Sequence, residues 1–363
     1  ARAPSVTAAQ TRGVPTFVRR AGRRTNLALL VLLVVAAMTG ALGYAVGSPR
    51  AASVAITLVH GAAGLALLLL VPWKSFVVRR SWRRSGGALG GNGDSLFLGI
   101  LIACCLLAGI AHGLGGWSPA FGITALQLHV TAALVAIPFV VVHVVNHPQS
   151  PRRADLSRRT VLRALMLGAG GVAAYGLVQG TALATGLPGG VRSRSGSTLR
   201  GSFAPTDMPV TQWFTDTVPA EVPSGWRLNV AAGRERRALS FEELSRLPTH
   251  EVTAMLDCTG GWYAEQRWRG VRLDELVAAL DPAGPWRSID VISTTGYRRR
   301  LPRADAEHAL LATHAGGEAL SIGHGAPIRL VVPGRRGFWW VKWVQRIDLV
   351  DEPWWWQSPY PLQ

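Results

Sequence analysis

The chain has 363 residues, 48% of them hydrophobic, with 38 Lys+Arg against 21 Asp+Glu and a formal net charge of +17. So basic a chain raises nucleic acid as a partner, but the distribution of charge excludes it as the default. Residues 1–200 hold 20 basic residues and two acids, Asp94 and Asp155, for a net +18, whereas residues 201–363 hold 18 basic and 19 acidic residues, a net −1.

The charge step near residue 200 divides the chain in two. The first part contains five apolar stretches, at 27–47, 51–73, 95–115, 121–145 and 161–186. Each is long enough, at about 1.5 Å per residue, to cross a hydrocarbon core of about 30 Å. An all-α bundle of five transmembrane helices over 27–186 is therefore expected, behind a basic tail at 1–26. Six basic residues precede the first stretch, five lie between Lys74 and Arg84, and five between Arg152 and Arg163. These 16 share one side, so the positive-inside rule predicts a multi-pass protein of the cell membrane with a cytoplasmic N-terminus and residues 187 onward outside.

The run Ser157-Arg-Arg-Thr-Val-Leu-Arg163 at the fifth stretch resembles a twin-arginine export signal, with further positive-inside charge as the alternative. Residues 187–203, rich in Gly, Ser and Arg without periodicity, suggest a loose tether.

Residues 204–363 form the expected exported domain. Alternating or β-branched runs at 225–231, 252–256, 288–293, 328–332 and 341–350 predict strands, and short helices are expected at 240–246 and 273–280. Ser240 with Glu243 three residues on is a capping-box pattern. Strands with few helices and no long βαβ repeat indicate an α+β domain. It has a single cysteine, Cys258, since Cys104 and Cys105 fall in the third stretch. A lone thiol outside the cytoplasm is buried and inert, a metal ligand or a nucleophile.

Two blocks carry a resemblance. One runs His324-Gly-Ala-Pro-Ile-Arg329-Leu-Val-Val-Pro333-Gly334-Arg-Arg-Gly337-Phe-Trp-Trp-Val-Lys342-Trp343, and the other is Leu256-Asp-Cys258-Thr-Gly-Gly followed by Trp268-Arg-Gly270-Val-Arg-Leu273. Over residues 211–353 the chain resembles the molybdenum-cofactor domain of the sulfite oxidase family, which includes periplasmic methionine sulfoxide reductase catalytic subunits. The resemblance implies a molybdopterin-dependent oxidoreductase in which Cys258 is catalytic and is the protein thiolate on molybdenum. It further implies that His324, Arg329 and Lys342 hold the pterin phosphate and ring edges, with backbone N–H groups around Gly337, Phe338 and Trp340. A soft thiolate suits such a metal, and a dianionic phosphate calls for charge-assisted hydrogen bonds.

The family's sulfite-binding arginines, in C-x-G-N-x-R and F-x-R-N-H patterns, are missing. The corresponding stretches are Cys258-Thr-Gly-Gly-Trp262-Tyr263 and Trp213-Phe-Thr-Asp-Thr217. Without those charges a dianion is held poorly, so a neutral or organic substrate, an S-oxide or N-oxide, is expected rather than sulfite. Trp262 and Tyr263 line the pocket in one reading and are core aromatics in the other.

Histidines in the apolar part are candidates for an electron route. His129 and His143 lie 14 residues apart, about 21 Å along one helix face, a spacing that resembles the helices of membrane b-type cytochromes. His60 matches His129 in depth, which makes the two an expected haem b ligand pair. His143 lacks an obvious partner, because Lys74 stands 14 residues after His60, so a second haem there is the weaker expectation. His112 is an alternative ligand or part of a quinone site. The tail Trp354-Trp-Trp356-Gln-Ser-Pro-Tyr360 either docks at the lipid interface or packs back on the protein.

Together these readings predict a membrane oxidoreductase that exchanges electrons between a small or protein-bound external substrate and quinone or a respiratory partner, with no nucleic acid partner. A non-catalytic accessory subunit that uses the same fold for partner binding is the alternative.

Overall fold

A computed structural model of the chain describes residues 16–46, 51–75, 93–148, 152–213, 216–233, 235–279 and 286–360. The tail before residue 16, the basic residues at 79–84, and Phe214 and Thr215 lie outside the described residues.

Five long helices come first: α1 (Thr16–Ala45), α2 (Ala51–Leu69), α3 (Gly93–Gly115), α4 (Ala125–Asn146) and α5 (Arg158–Ala184). Each contains a segment long and apolar enough to cross a membrane. Large apolar side chains such as Leu107, Val145, Met166 and Leu177 point outward, as expected where lipid replaces water. The fourth helix begins at Ala125 rather than 121, because Pro119–Ala120 (β1) and Ile123–Thr124 (β2) form a short hairpin. Thr124 then caps α4 through a reciprocal capping box with Gln127, a Thr-x-x-Gln signal legible in the sequence.

Helix α2 packs against α1 and α5, and α3 against α4. One end of the bundle gathers the ion pair Arg23–Asp155 (2.5 Å), the bond from Lys74 Nζ to Asn26 Oδ1 (3.2 Å) and the contact between Ser95 Oγ and His143 Nδ1 (3.3 Å). The opposite end carries the second domain.

That domain is α+β. A six-stranded sheet contains β3 (Thr198–Leu199), β6 (His250–Asp257), β7 (Trp262–Arg272), β10 (Leu310–Ala315), β11 (Glu318–Ala319) and β12 (Arg329–Val331). A five-stranded sheet has β4 (Arg227–Ala232), β5 (Glu235–Ser240), β8 (Ser288–Ser293), β9 (Arg298–Pro302) and β13 (Val344–Val350), in the order β5-β4-β13-β8-β9. The short helices α6 (Phe241–Ser245) and α7 (Leu273–Ala278) sit at strand ends, and Ser240 and Glu243 form the expected capping box. Alternation along β7 sends Trp262, Ala264, Gln266 and Trp268 into the core, as the period of two requires.

The Gly/Ser/Arg-rich segment after α5 differs from the loose tether expected of its composition. Its β3 pairs in parallel with the start of β7. Ser195 and Ser197 both donate to Asp257 Oδ1, at 2.9 and 2.7 Å. Thr57 on α2 donates to the Arg194 carbonyl (3.1 Å), and Arg200 donates to the Trp117 carbonyl (2.7 Å). Small polar residues fit here because their side chains satisfy backbone and carboxylate groups at close range. The segment is a strap bonded to both parts of the molecule.

The C-terminal tail divides its aromatics. Trp354 packs on Trp339 (6.1 Å between ring centroids), and Tyr360 donates to the Ala41 carbonyl on α1 and meets Tyr44 edge-on at 6.3 Å. Trp355 and Trp356 remain exposed.

Candidate active site

Cys258 follows the end of β6 in a tight turn back into β7. Its N–H donates to the Trp262 carbonyl (2.9 Å), and the Gly261 N–H donates to the Cys258 carbonyl (3.1 Å). The half-buried sulfur accepts from the Gly260 N–H at 3.3 Å and lies 3.4 Å from Thr211 Oγ1. Thr211 is itself held by the Trp262 indole (3.3 Å), so the buried Trp262 positions the sulfur's neighbour, while Tyr263 is half-buried beside it. The Gly260 N–H and the Thr211 hydroxyl thus fix the position of the sulfur. Gly337 packs directly on this turn: a Cβ there would lie 3.1 Å from Cys258 Cα and 3.2 Å from the Asp257 carbonyl oxygen.

Three of the polar residues singled out in the sequence stand together. Arg329 is 2% exposed on β12, donates through one terminal nitrogen to the His324 carbonyl (3.1 Å), and lies over the Trp268 and Trp340 rings at 5.0 and 5.8 Å. Its Nε finds no acceptor among the described residues. Lys342 Nζ donates to the Gly323 carbonyl (2.6 Å). His324 is fixed at both ring nitrogens, by Ser321 Oγ (2.8 Å) and the Met208 carbonyl (3.1 Å).

Burial, and then mutual repulsion, governs this cluster. Desolvation and the Arg329 charge lower Lys342 to about 7 and His324 to about 4. Burial lowers Arg329 to about 10, partly offset by Cys258. Cations held this close, with an unused buried N–H, match a polyanionic ligand that restores their charge.

The phosphate-holding backbone expected around Gly337 is a 3-10 turn at Gly337–Trp339. The Trp340 N–H is already committed to the Gly337 carbonyl (3.0 Å), and its ring packs on Trp268 (5.6 Å). The Phe338 carbonyl accepts from the Tyr297 hydroxyl (2.5 Å).

Sequence reasoning missed several groups beside this site. Arg336 forms a buried ion pair with Asp257 (2.5 Å), the residue that also holds Ser195 and Ser197. Arg299, buried and lowered to about 10 by desolvation, lies 4.4 Å over Trp339 and 5.2 Å over Phe338. The Nε atoms of both arginines lack an acceptor among the described residues. Asp257 precedes the cysteine and Arg336 precedes Gly337, so adjacency to the motifs was the available signal.

Within the bundle, the His60 and His129 rings lie 5.8 Å apart between centroids, at 88°. Carbonyl oxygens only accept, so His60 Nδ1 donates to Ala36 (3.0 Å) and His129 Nδ1 to Cys105 (2.7 Å). Each Nε2 is thereby left as the lone-pair nitrogen, the arrangement that second-shell carbonyls give metal-binding histidines. Glycines face both rings: a Cβ on Gly40 would lie 3.1 Å from His60 Cε1, and one on Gly109 2.9 Å from His129 Nδ1. His143 instead stacks on His147, the residue that caps the end of its helix (4.8 Å), and meets Ser95, so the structure brings it no second histidine from another helix among the described residues. Nor does any group of three or more His, Cys, Asp or Glu gather among them. The soft and nitrogen donors brought together here are a lone cysteine sulfur and a histidine pair.

Residues 215–358 match the oxidoreductase molybdopterin binding domain. The chain is 31% identical to mitochondrial sulfite oxidase of Rattus norvegicus over 168 residues, covering 37% of this chain and 31% of that protein. It is 34% identical to sulfite oxidase of Gallus gallus, with 36% of each covered. With the protein-methionine-sulfoxide reductase catalytic subunit MsrP of Ralstonia nicotianae it shares 28% identity over 149 residues, 36% of this chain and 45% of that protein. Among solved structures, the sulfane dehydrogenase SoxCD of Paracoccus pantotrophus matches at 29% identity and a TM-score of 0.35, covering 37% of this chain and 40% of that one. The chain thus spans less than half the length of these relatives. Residues 215–358 are thus similar to molybdopterin-binding oxidoreductase domains of the sulfite oxidase kind, and five long apolar helices precede them.

Proposed function

We propose that the protein is a membrane-anchored molybdopterin oxidoreductase that exchanges electrons between an extracytoplasmic S-oxide or N-oxide and the quinone pool through haem b. The observation that carries this reading is the setting of Cys258: a sulfur accepting from a backbone N–H, with Gly337 pressed on its Cα, Arg329 buried and Lys342 half-buried nearby.

In this reading Cys258 ligates molybdenum, Arg329 and Lys342 hold the phosphate, and Arg336 and Asp257 position the cysteine turn. His324 is the post that presents its carbonyl to Arg329. When bound, the molybdenum centre supplies two-electron oxygen-atom transfer. Reduction of an S-oxide consumes two electrons and two protons and yields the deoxygenated product and water. The missing sulfite-type arginines favour a substrate without a dianionic charge. For the electron route, support comes from the His60–His129 pair, whose Nδ1 atoms are both tied to carbonyls.

Purified full-length protein tests the reading. Molybdenum near one per chain together with a Soret band is expected, and Cys258→Ser should lose the molybdenum while keeping the Soret band. Native protein without either cofactor would refute it, and Cys258→Ser protein with full molybdenum would refute the ligand assignment.

A further inference from the structure

The cysteine turn does more than hold Cys258. Its fourth residue, Gly261, has φ +91° and is pressed against the bundle: a Cβ there would lie 2.6 Å from Leu126 Cδ2 on α4 and 2.8 Å from His112 Cε1 on α3. The backbone of the cysteine turn therefore packs directly on the His112 imidazole. On α3, His112 shares a face with Gly109 and Cys105, three and seven residues earlier, by helical spacing. Gly109 abuts the His129 ring, and the Cys105 carbonyl accepts from His129 Nδ1 (2.7 Å). One helix face thus connects the cysteine turn to the histidine pair without a gap.

This junction is fixed from several directions. The strap bonds α2 at Thr57 and Asp257 at Ser195 and Ser197, Thr198 donates to the Gly261 carbonyl (3.0 Å backbone, 3.2 Å side chain), and Tyr360 ties the C-terminal tail to α1.

Resting on the function proposed above, we infer that His112 is the bridge through which electrons pass between the Cys258 cofactor site and the His60–His129 site, across a docked interface that stays closed during turnover. Each crossing carries one electron from the reduced centre to the oxidised one, and two crossings complete each two-electron substrate conversion. No bond forms or breaks at His112, and its ring is not itself oxidised; it supplies a packed path in place of a gap.

The test uses the full chain with both cofactors, in wild-type, His112→Ala and Leu126→Ala forms. Leu126 touches the same glycine without lying on the α3 face, so it controls for loosened packing. Haem is reduced by a flash-generated flavin semiquinone, and its reoxidation by the molybdenum centre is followed optically. With molybdenum and haem contents unchanged, His112→Ala is expected to slow reoxidation by about tenfold or more, and Leu126→Ala by much less. Wild-type rates should not change with added sucrose, because no domain has to swing. Independently of turnover, the amides of Thr198 and Gly261 should be protected from hydrogen exchange in all three proteins. Equal slowing in both variants, an unchanged rate in His112→Ala, a rate falling with viscosity, or rapid exchange at those amides would each overturn the inference. Wild-type protein with molybdenum but no haem would overturn it through the function it rests on, and the metal and optical analyses identify that outcome separately.

Discussion

Single residues at this site are arranged so that charge is costly until a ligand arrives. His324 shows the consequence most directly. Its ring is 8% exposed and bonded at both nitrogens, and burial followed by the Arg329 charge lowers it from 6.5 to about 4. Below about pH 6.5 the unfolded chain takes up a proton that the folded one refuses, so stability present above that pH is lost as pH falls toward about 4. His324→Gln should remove this dependence: between about pH 7 and about pH 5 the melting temperature of the wild type should drop further than that of the variant. Parallel curves would mean that His324 is not held neutral. Cys258, His324, Arg329 and Lys342 were legible as a group because they sit in two dense motifs. Arg299 and Tyr297 were not, since they lie on and beside β9 and reach the site only through sheet packing.

At the scale of elements, the strap is where composition and structure part. Gly, Ser and Arg without periodicity ordinarily describe a flexible chain. Here that composition is used because Asp257, fully buried and paired with Arg336, presents an oxygen that short hydroxyl side chains reach. Removing one member of a buried ion pair costs about 3–5 kcal/mol, since the other charge is left uncompensated. Trypsin should therefore leave the bonds after Arg192, Arg194 and Arg200 intact in the native protein, and should cut there in Asp257→Ala. Gel analysis of a time course decides this; cleavage of the wild type at the same rate would show that the strap is open. The helix starts behaved differently. The boxes at Thr124 and Ser240 were written locally, as a hydroxyl followed three residues later by Gln or Glu, because capping is settled within one turn.

For the whole molecule, the two ends of the bundle have opposite characters. Arg23, Lys74 and Asp155 mark one end, and the oxidoreductase domain covers the other. The positive-inside rule predicts a domain outside the cytoplasm, and labelling tests that expectation. An exposed cysteine introduced at Glu318 should react with a membrane-impermeant maleimide in intact cells, and one at Arg158 only after permeabilisation; the reverse pattern would invert the topology. By itself the sequence determined the five apolar helices, the α+β domain, the motif cysteine and the histidines at matched depth, because hydropathy, period and short-range spacing are properties of neighbouring residues. Only the tertiary structure decided that the Gly-rich strap is bonded, that Arg336 secures Asp257, and that Gly261 rests on His112. Those contacts join residues 60 to 150 positions apart, and they exist because two parts that each fold locally must satisfy their buried polar groups against one another.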